Sequence, residues 1–147
     1  EDEKMQAGSK HKGLLKEIPP GDNYLYFTAE RGHPNPKFKW RSRYWSFLLK
    51  LSPDRPSWTI QASFSNNMGP FHWKNRFLRI SEIKRLQTFD DDYEFMGDFK
   101  EQWRQIGNAV PPLFVKVIAE AIKEQYFTEK KKVSSKEDRF KQLEFDI

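Results

Sequence analysis

The residue types that carry out most enzymatic chemistry are sparse in this sequence. The chain has no cysteine, which excludes a thiol nucleophile, a disulfide and a cysteine-bound zinc ion within it. Its three histidines, His11, His33 and His72, lie far apart and lack the spacing of a helical metal site. The run 90–92 of three aspartates could bind a divalent cation, although a solvated turn is the stronger interpretation. We therefore expect no metal site and no self-sufficient active site.

A second group of residues suits binding rather than catalysis. Residues 31–55 contain one carboxylate, Asp54, and many cations interleaved with aromatic residues: Arg31, Lys37, Lys39, Arg41, Arg43, Lys50 and Arg55. Such a local concentration of positive charge indicates a polyanionic partner. Arginine and lysine neutralise phosphates, and arginine can also reach the edges of guanine. The alternative is an ordinary antiparallel sheet with one solvated face.

The bulk composition fits one domain or part of one. The chain has 147 residues and a formal net charge of +5, and its 16% aromatic content suffices for a core or a stacking surface. No stretch approaches eighteen apolar residues, and no positively charged leader precedes an apolar segment. We therefore expect no membrane association and a cytoplasmic location.

Several short elements are predicted to position these residues. Apolar spacing predicts a helix over 11–18 and another over 81–86, with Ser81 or a nearby residue as the N-cap of the second. Strands are predicted over 23–28, 38–43, 45–51 and 58–63. Alternation within 38–43 would place the cations on one strand face and the rings on the other. Residues 1–10 are expected to be flexible, and residues 128–147 to form a polar, mobile tail.

The strongest helical pattern lies near the end of the chain. Residues 105–110 are predicted to end an irregular region, with Gly107 as a tight-turn residue and Asn108 free to bond its own backbone or a ligand. Pro111 and Pro112 suit the first turn of a helix over 111–127. The apolar stripe that follows is broad enough to be largely buried and comprises Leu113, Phe114, Val117, Ile118, Ala121, Ile122 and Tyr126.

Three blocks of sequence resemble the cytosine-5 DNA methyltransferases, and they follow one another along the chain in the order found in that family. Residues 105–112, Q-I-G-N-A-V-P-P before a helix, resemble the closing conserved block of that family. Residues 76–89 resemble the block before it, usually R-x-L-T-x-R-E-x-x-R-L-Q-x-F-P-D, although Arg79, Ser81 and Asp90 depart from this pattern. The pair Thr59–Ile60 matches the Thr-Leu, Thr-Ile or Thr-Val dipeptide that ends the target-recognition region.

The resemblance implies an α+β fold and a set of functional positions. Residues 11–105 would form a small, irregular, strand-rich target-recognition domain, and residues 106–127 a long closing helix that belongs to the Rossmann-like catalytic domain. The residues implied in DNA binding are Lys39, Arg41, Arg43, Thr59, Ile60 and Arg76. Those implied near S-adenosylmethionine are Asn108, Ala109 and Val110. Those implied in supporting the active site are Glu82, Arg85 and Gln87.

The resemblance also implies a missing partner. The family's methyl-donor loop F-x-G-x-G, its Pro-Cys nucleophile and its Glu-Asn-Val acid do not occur in this sequence, and the resemblance does not include its Arg-x-Arg block, which precedes this region in the family. In that family the cysteine attacks C6 of a flipped cytosine, which activates C5 towards the methyl group of S-adenosylmethionine.

The chain is therefore expected to be inactive alone. It would serve a bacterial restriction-modification enzyme as the part that binds double-stranded DNA, together with an N-terminal catalytic half or subunit. The isolated chain is expected to self-associate through its closing helix or to leave that helix mobile. Two alternatives remain open, a fragment of a transfer RNA cytosine-5 methyltransferase and a stand-alone nucleic-acid-binding module without catalysis.

Overall fold

A computed structural model describes residues 11–128, which form an α+β arrangement as predicted. The α-helices span Lys12–Glu17 (α1), Ile80–Leu86 (α2), Phe99–Asn108 (α3) and Pro112–Lys123 (α4), and the antiparallel strands span Phe71–His72 (β1) and Arg76–Phe77 (β2). Short 3₁₀ helices occupy Tyr24–Phe27 and Ala29–Arg31, and a π-helical turn occupies Glu124–Thr128. Residues 1–10 and all but the first residue of the predicted tail lie outside the described part of the chain.

The chain divides into two compact units on either side of the bond between Ala109 and Val110. The first unit carries α1, the strands, α2 and α3, and the second carries α4 and the π-helical turn. Helix α3 runs through the domain boundary predicted at residue 105. Among residues 11–128, none of the helices combines the length and apolar character that crossing a bilayer demands.

The strands predicted over 23–28, 38–43, 45–51 and 58–63 are wrong. The first of these segments is a 3₁₀ helix, because the side chain of Asn23 accepts a hydrogen bond from the backbone of Leu25 and bends the chain there. Arg41 and Leu48 each have a φ of 53°, a left-handed conformation that interrupts any extended run. Within 45–51, only single bridges at Phe47 and Lys50 pair the backbone with residues 68–71.

Two apolar clusters hold the first unit together. One joins α1 and the first 3₁₀ helix to β1 and β2 through Leu15, Ile18, Tyr24, Leu25, Phe27, Leu48, Phe71 and Phe77. The other joins α2 and α3 through Leu51, Ile60, Leu78, Ile83, Trp103 and Ile106. Phe64 packs against both clusters, with its ring 4.9 Å from that of Phe77 and 5.4 Å from that of Trp103.

Helix α2 is confirmed, and a residue near Ser81, rather than Ser81 itself, is its N-cap. The helix begins at Ile80, and Arg79 is the capping residue. The side chain of Glu82 reaches back and accepts a hydrogen bond of 2.8 Å from the backbone N–H of Arg79, which satisfies one of the amides left open at a helix start.

Helix α3 was not predicted, and it changes the role of Gly107. Asp98 caps the helix by accepting a 2.9 Å hydrogen bond from the backbone N–H of Glu101. Gly107 lies inside the helix rather than in a tight turn. A Cβ at this position would lie 2.6 Å from the Cα of Ala62. The glycine therefore permits close approach of two backbones and does not supply an unusual conformation.

Helix α4 begins one residue later than predicted. Pro111 precedes the helix and Pro112 is its first residue, and the α-helical part ends at Lys123 before the π-helical turn. Its apolar side chains are exposed: Phe114, Val117 and Ile118 expose 58%, 64% and 43% of their surface. The burial of this stripe is therefore not seen in the described residues.

Candidate nucleic-acid interface

The loop that contains Lys39, Arg41 and Arg43 carries the cations predicted to bind DNA, and it is attached to the core. Its backbone is fixed at Arg43, whose C=O accepts a 2.8 Å hydrogen bond from the hydroxyl of the buried Tyr24 and whose N–H donates to the same oxygen at 3.2 Å. Phe38 packs edge-on against Tyr24 with the ring centroids 5.8 Å apart. The side chains of Lys39, Arg41 and Arg43 are all exposed. The loop thus holds three cations in solvent on a backbone that is attached to the core.

The cations do not form the predicted strand face, but aromatic rings still accompany them. The guanidinium of Arg41 lies 6.0 Å from the ring of Trp40, and that of Arg43 lies 5.8 Å from the ring of Phe47. At these distances the rings can orient the guanidinium groups without neutralising their charge. Both arginines therefore keep the charge that a phosphate contact requires.

An open cavity of 520 Å³ begins where this loop ends. Its lining residues come from 44–49, 58–61 and 68, and they are Tyr44, Trp45, Ser46, Leu49, Trp58, Thr59, Gln61 and Met68. Tyr44, Trp45 and Trp58 expose 81%, 51% and 47% of their surface. Sequence reasoning missed this cavity. Trp45 within the basic segment 31–55 and Trp58 just after it were a signal, but they lie thirteen positions apart and only the fold joins them.

Thr59 and Ile60 are adjacent in sequence but differ in exposure to solvent. Thr59 is exposed and lines the cavity, whereas Ile60 is only 4% exposed and lies in the second apolar cluster. Gln61, the residue after Ile60, is hydrogen-bonded to α3, because its backbone C=O accepts a 2.8 Å hydrogen bond from the indole N–H of Trp103. The side chain of Ile60 therefore anchors this segment, and Thr59 is the member of the pair that can reach a ligand.

Arg76 is buried in an ion pair rather than presented to solvent. Its guanidinium donates two hydrogen bonds, of 2.7 and 2.8 Å, to the two carboxylate oxygens of Glu82. This hydrogen bonding by Arg76 is the main reason that the pKa of Glu82 falls to about 2, and the backbone N–H of Arg79 lowers it further. His72 also lies nearby, with its Nε2 atom 3.8 Å from Glu82. The pair joins β2 to α2, and this geometry gives Arg76 a structural task.

Besides Glu82, two residues were implied in supporting the active site, Arg85 and Gln87. They occupy different surroundings. Arg85 is exposed and donates hydrogen bonds of 2.9 and 2.8 Å to Asp91, which holds the pKa of that carboxyl below its ordinary value. Gln87 is buried, and its amide donates a 3.3 Å hydrogen bond to the C=O of Ile106. Gln87 thus joins the end of α2 to α3. Within residues 11–128, no group of acidic and histidine side chains is arranged to hold a metal ion.

The residues implied near S-adenosylmethionine lie where α3 ends. Asn108 is the last residue of that helix and is exposed. Ala109 donates a 3.1 Å backbone hydrogen bond to Ile106 and then turns the chain into an extended conformation. Val110 is 57% exposed.

The three blocks singled out from the sequence converge within the first unit. Ile60 from the first block packs in one cluster with Ile83 from the second and Ile106 from the third. Gly107 lies against the backbone of residues 61 and 62. The blocks therefore build one scaffold, which positions Thr59 and the cavity beside it.

Comparison with known proteins agrees with these blocks. The family described as C-5 cytosine-specific DNA methylase matches residues 4–124. The chain is 49% identical over 122 residues to the type II methyltransferase M.SacI of Streptomyces achromogenes, which covers 76% of this chain and 31% of that protein. It is 39% identical over 111 residues to the type II methyltransferase M.BbvI of Brevibacillus brevis, covering 74% and 29% of the two chains.

The extent of the match differs among the relatives. The chain spans less than a third of M.SacI and M.BbvI. The type II methyltransferase M.AquIB of a Picosynechococcus strain is 36% identical over 92 residues, which are 54% of this chain and 65% of that protein. M.AquIB is therefore itself a short chain. No solved structure is significantly similar to this one.

Proposed function

Because this chain belongs to the C-5 cytosine-specific DNA methylase family, we propose that it is the DNA-recognition portion of a restriction-modification methyltransferase. The observation that carries the proposal is the exposed cationic loop with Lys39, Arg41 and Arg43, which leads directly into the cavity lined by Thr59. Cations position a protein on the phosphate backbone, and neighbouring side chains then read the bases. Double-stranded DNA is the substrate class that this arrangement suits.

The complete enzyme would transfer a methyl group from S-adenosylmethionine to C5 of a flipped cytosine. This sequence contains no cysteine to act as the nucleophile. An N-terminal catalytic half or a separate subunit would supply it, together with most of the binding site for S-adenosylmethionine. The short length of M.AquIB supports an arrangement in which a catalytic chain and a short chain are separate. Asn108, Ala109 and Val110 would complete the methyl-donor site from this chain.

Helix α4 is the element proposed to join the catalytic portion. Its exposed residues include Phe114, Val117 and Ile118, and an exposed apolar patch of this kind usually marks an interface. The helix would pack beside the Rossmann-like sheet of the catalytic domain. In the absence of that domain, the same patch would lead the isolated chain to self-associate.

The binding proposal is tested by substitution of the loop cations. The 147-residue chain, its Arg41→Ala and Arg43→Ala variants and a matched Arg104→Ala control are titrated with a duplex at several salt concentrations. Each lost phosphate contact should lower the slope of log affinity against log salt by about one. Arg104 is an exposed arginine paired with Glu101 on α3, so its removal changes the net charge equally. Identical slopes for the parent and both loop variants would refute the loop as a phosphate-binding surface.

A parallel titration distinguishes duplex DNA from transfer RNA as the substrate. The same titration with transfer RNA of equal phosphate content should give weaker binding than duplex DNA. A clear preference for transfer RNA would instead support the transfer RNA branch of the family.

The need for a catalytic partner is tested by activity. The chain alone, incubated with labelled S-adenosylmethionine and cytosine-containing duplex DNA, should transfer no label above background. Transfer should begin when an N-terminal portion carrying the Pro-Cys loop is added. Methyl transfer by the isolated chain would contradict the proposal.

A further inference from the structure

The cavity next to the cationic loop has the chemistry of a nucleobase site. We infer that it binds one unstacked base of the DNA, which rests against the indoles of Trp45 and Trp58 while Thr59 and Gln61 contact its polar edge. This inference rests on the proposed function, because it requires that the chain bind DNA, and it adds a base-binding site within the recognition unit itself.

The aromatic wall is the first argument for a planar ligand. The ring centroids of Trp45 and Trp58 are 5.4 Å apart and the ring planes are inclined at 60°. Separations of about 4.5–7 Å are those of rings in direct contact, so no base can pass between the two indoles. They form one wall instead, and about half of each side chain remains exposed. A base stacked on such a wall gains contact without displacing any part of the core.

The polar groups are the second argument. Thr59 and Gln61 are both exposed and both line the cavity, and they supply a hydroxyl and an amide that offer donors and acceptors together. Ser46, in the same lining, is 6% exposed, and its hydroxyl oxygen is buried without a hydrogen-bond partner among the described residues. Base edges present donor and acceptor groups of this kind. The lining thus combines an apolar wall with unused hydrogen-bonding capacity.

The charge distribution is the third argument. Among residues 11–128, no lysine or arginine lines the cavity, whereas Arg43 immediately precedes its first lining residue, Tyr44. A phosphate would favour the cations, and an uncharged ring would favour the cavity beside them. Proteins that bind unstacked bases combine these two surfaces, a basic track for the backbone and aromatic side chains for the bases.

The experiment uses the 147-residue chain and duplexes that differ at one position. One duplex is fully paired, and four others carry a single bulged A, C, G or T in the same flanking sequence. A bulged base is already partly unstacked, so a site for such a base should bind the bulged duplexes on the order of 10-fold more tightly than the paired one. Trp58→Ala should abolish most of this preference, whereas Trp58→Phe, which keeps an aromatic ring, should retain most of it.

Three further variants keep the test independent of folding. Tyr44→Ala alters a cavity residue that is 81% exposed and should reduce the preference without affecting the fold. Trp73→Ala removes a tryptophan of 37% exposure that lies outside the cavity and should leave the preference unchanged. Gln61→Ala should reduce the differences in affinity among the four bulged bases.

The outcomes separate the two levels of the proposal. If the parent binds DNA but shows no preference for a bulged base, or if the preference survives Trp58→Ala and Tyr44→Ala, the base site is refuted while the DNA-binding function stands. If the parent binds neither paired nor bulged DNA, the proposed function itself fails.

Discussion

Substitution of Gly107 by alanine tests whether close packing of α3 positions the recognition segment. An added Cβ would lie 2.6 Å from the Cα of Ala62, 2.7 Å from its backbone nitrogen and 2.8 Å from the carbonyl carbon of Gln61. All three are backbone atoms, so no side-chain rotation can relieve the contact. Either α3 or the segment carrying Gln61 must move.

Two opposing effects determine the sign of the change in stability. Alanine is favoured over glycine within a helix by at most about 1 kcal/mol, and by less near a helix end such as this one. An extra methyl group in a packed site costs about 1–3 kcal/mol. The required shift also weakens the hydrogen bond from Trp103 to Gln61, which contributes about 0.5–1.5 kcal/mol. We therefore expect Gly107→Ala to lower the free energy of unfolding by about 1–3 kcal/mol.

Urea denaturation followed by tryptophan fluorescence measures this change in the first unit, because all five tryptophans precede Val110. With an m-value of about 1–3 kcal/mol per molar urea, the midpoint should fall by roughly 1 M. Gly13→Ala is the matched control. Gly13 lies in α1 and, its chain neighbours and the backbone of its own helix aside, no atom of residues 11–128 lies within 4 Å of the added Cβ, so this variant should equal or exceed the parent in stability. A Gly107→Ala variant as stable as the parent would refute the packing argument.

Three further predictions concern other parts of the chain. Because the pKa of Glu82 is about 2 when folded and near 4.5 when unfolded, its ion pair stabilises the fold above pH 4.5, and this stabilisation is lost as the pH falls towards 2. The difference in unfolding free energy between the parent and Glu82→Gln should therefore shrink over that range, and a constant difference would contradict it. Burial lowers the pKa of Lys50 to about 8, so the unfolded chain holds the extra proton between pH 8 and 10.5, and the parent should gain stability there relative to Lys50→Met. A parallel pH dependence in the two proteins would show that Lys50 does not titrate in this way. Ile118→Asp should abolish association with the catalytic portion. In hydrogen exchange, the amides of residues 113–122 should be poorly protected in the dilute chain and strongly protected after that portion is added, and strong protection in a proven monomer would mean that α4 is already covered.

Local features were predictable because they depend on residues that are neighbours in the chain. The proline pair and the apolar spacing after it predict the helix that the structure contains as α4, with a start one residue later. The residue order in 76–89 likewise predicts a helix, and α2 begins one residue before the expected position. The family was also identifiable from three short blocks, since each block is read from sequence without reference to the fold.

Residues 23–63 were not predictable in the same way. Their apolar runs satisfy the rules for strands, but Asn23, Arg41 and Leu48 each direct the backbone out of an extended path. The hydrogen-bond partners that replace strand pairing are distant in sequence, as in the contact between Tyr24 and Arg43. Local propensity contains no information about such partners.

Which residues near the cavity are exposed and which are buried was likewise determined only by tertiary structure. The family resemblance placed Thr59 and Ile60 together as candidates for DNA contact, and packing then buried Ile60 and left Thr59 exposed. The same packing brings Gly107 against Ala62 and places Trp45 beside Trp58. Sequence determines which side chains are available to bind a base or a phosphate. Which of them reach solvent depends on the free energy of burying the others, and that is a property of the whole core.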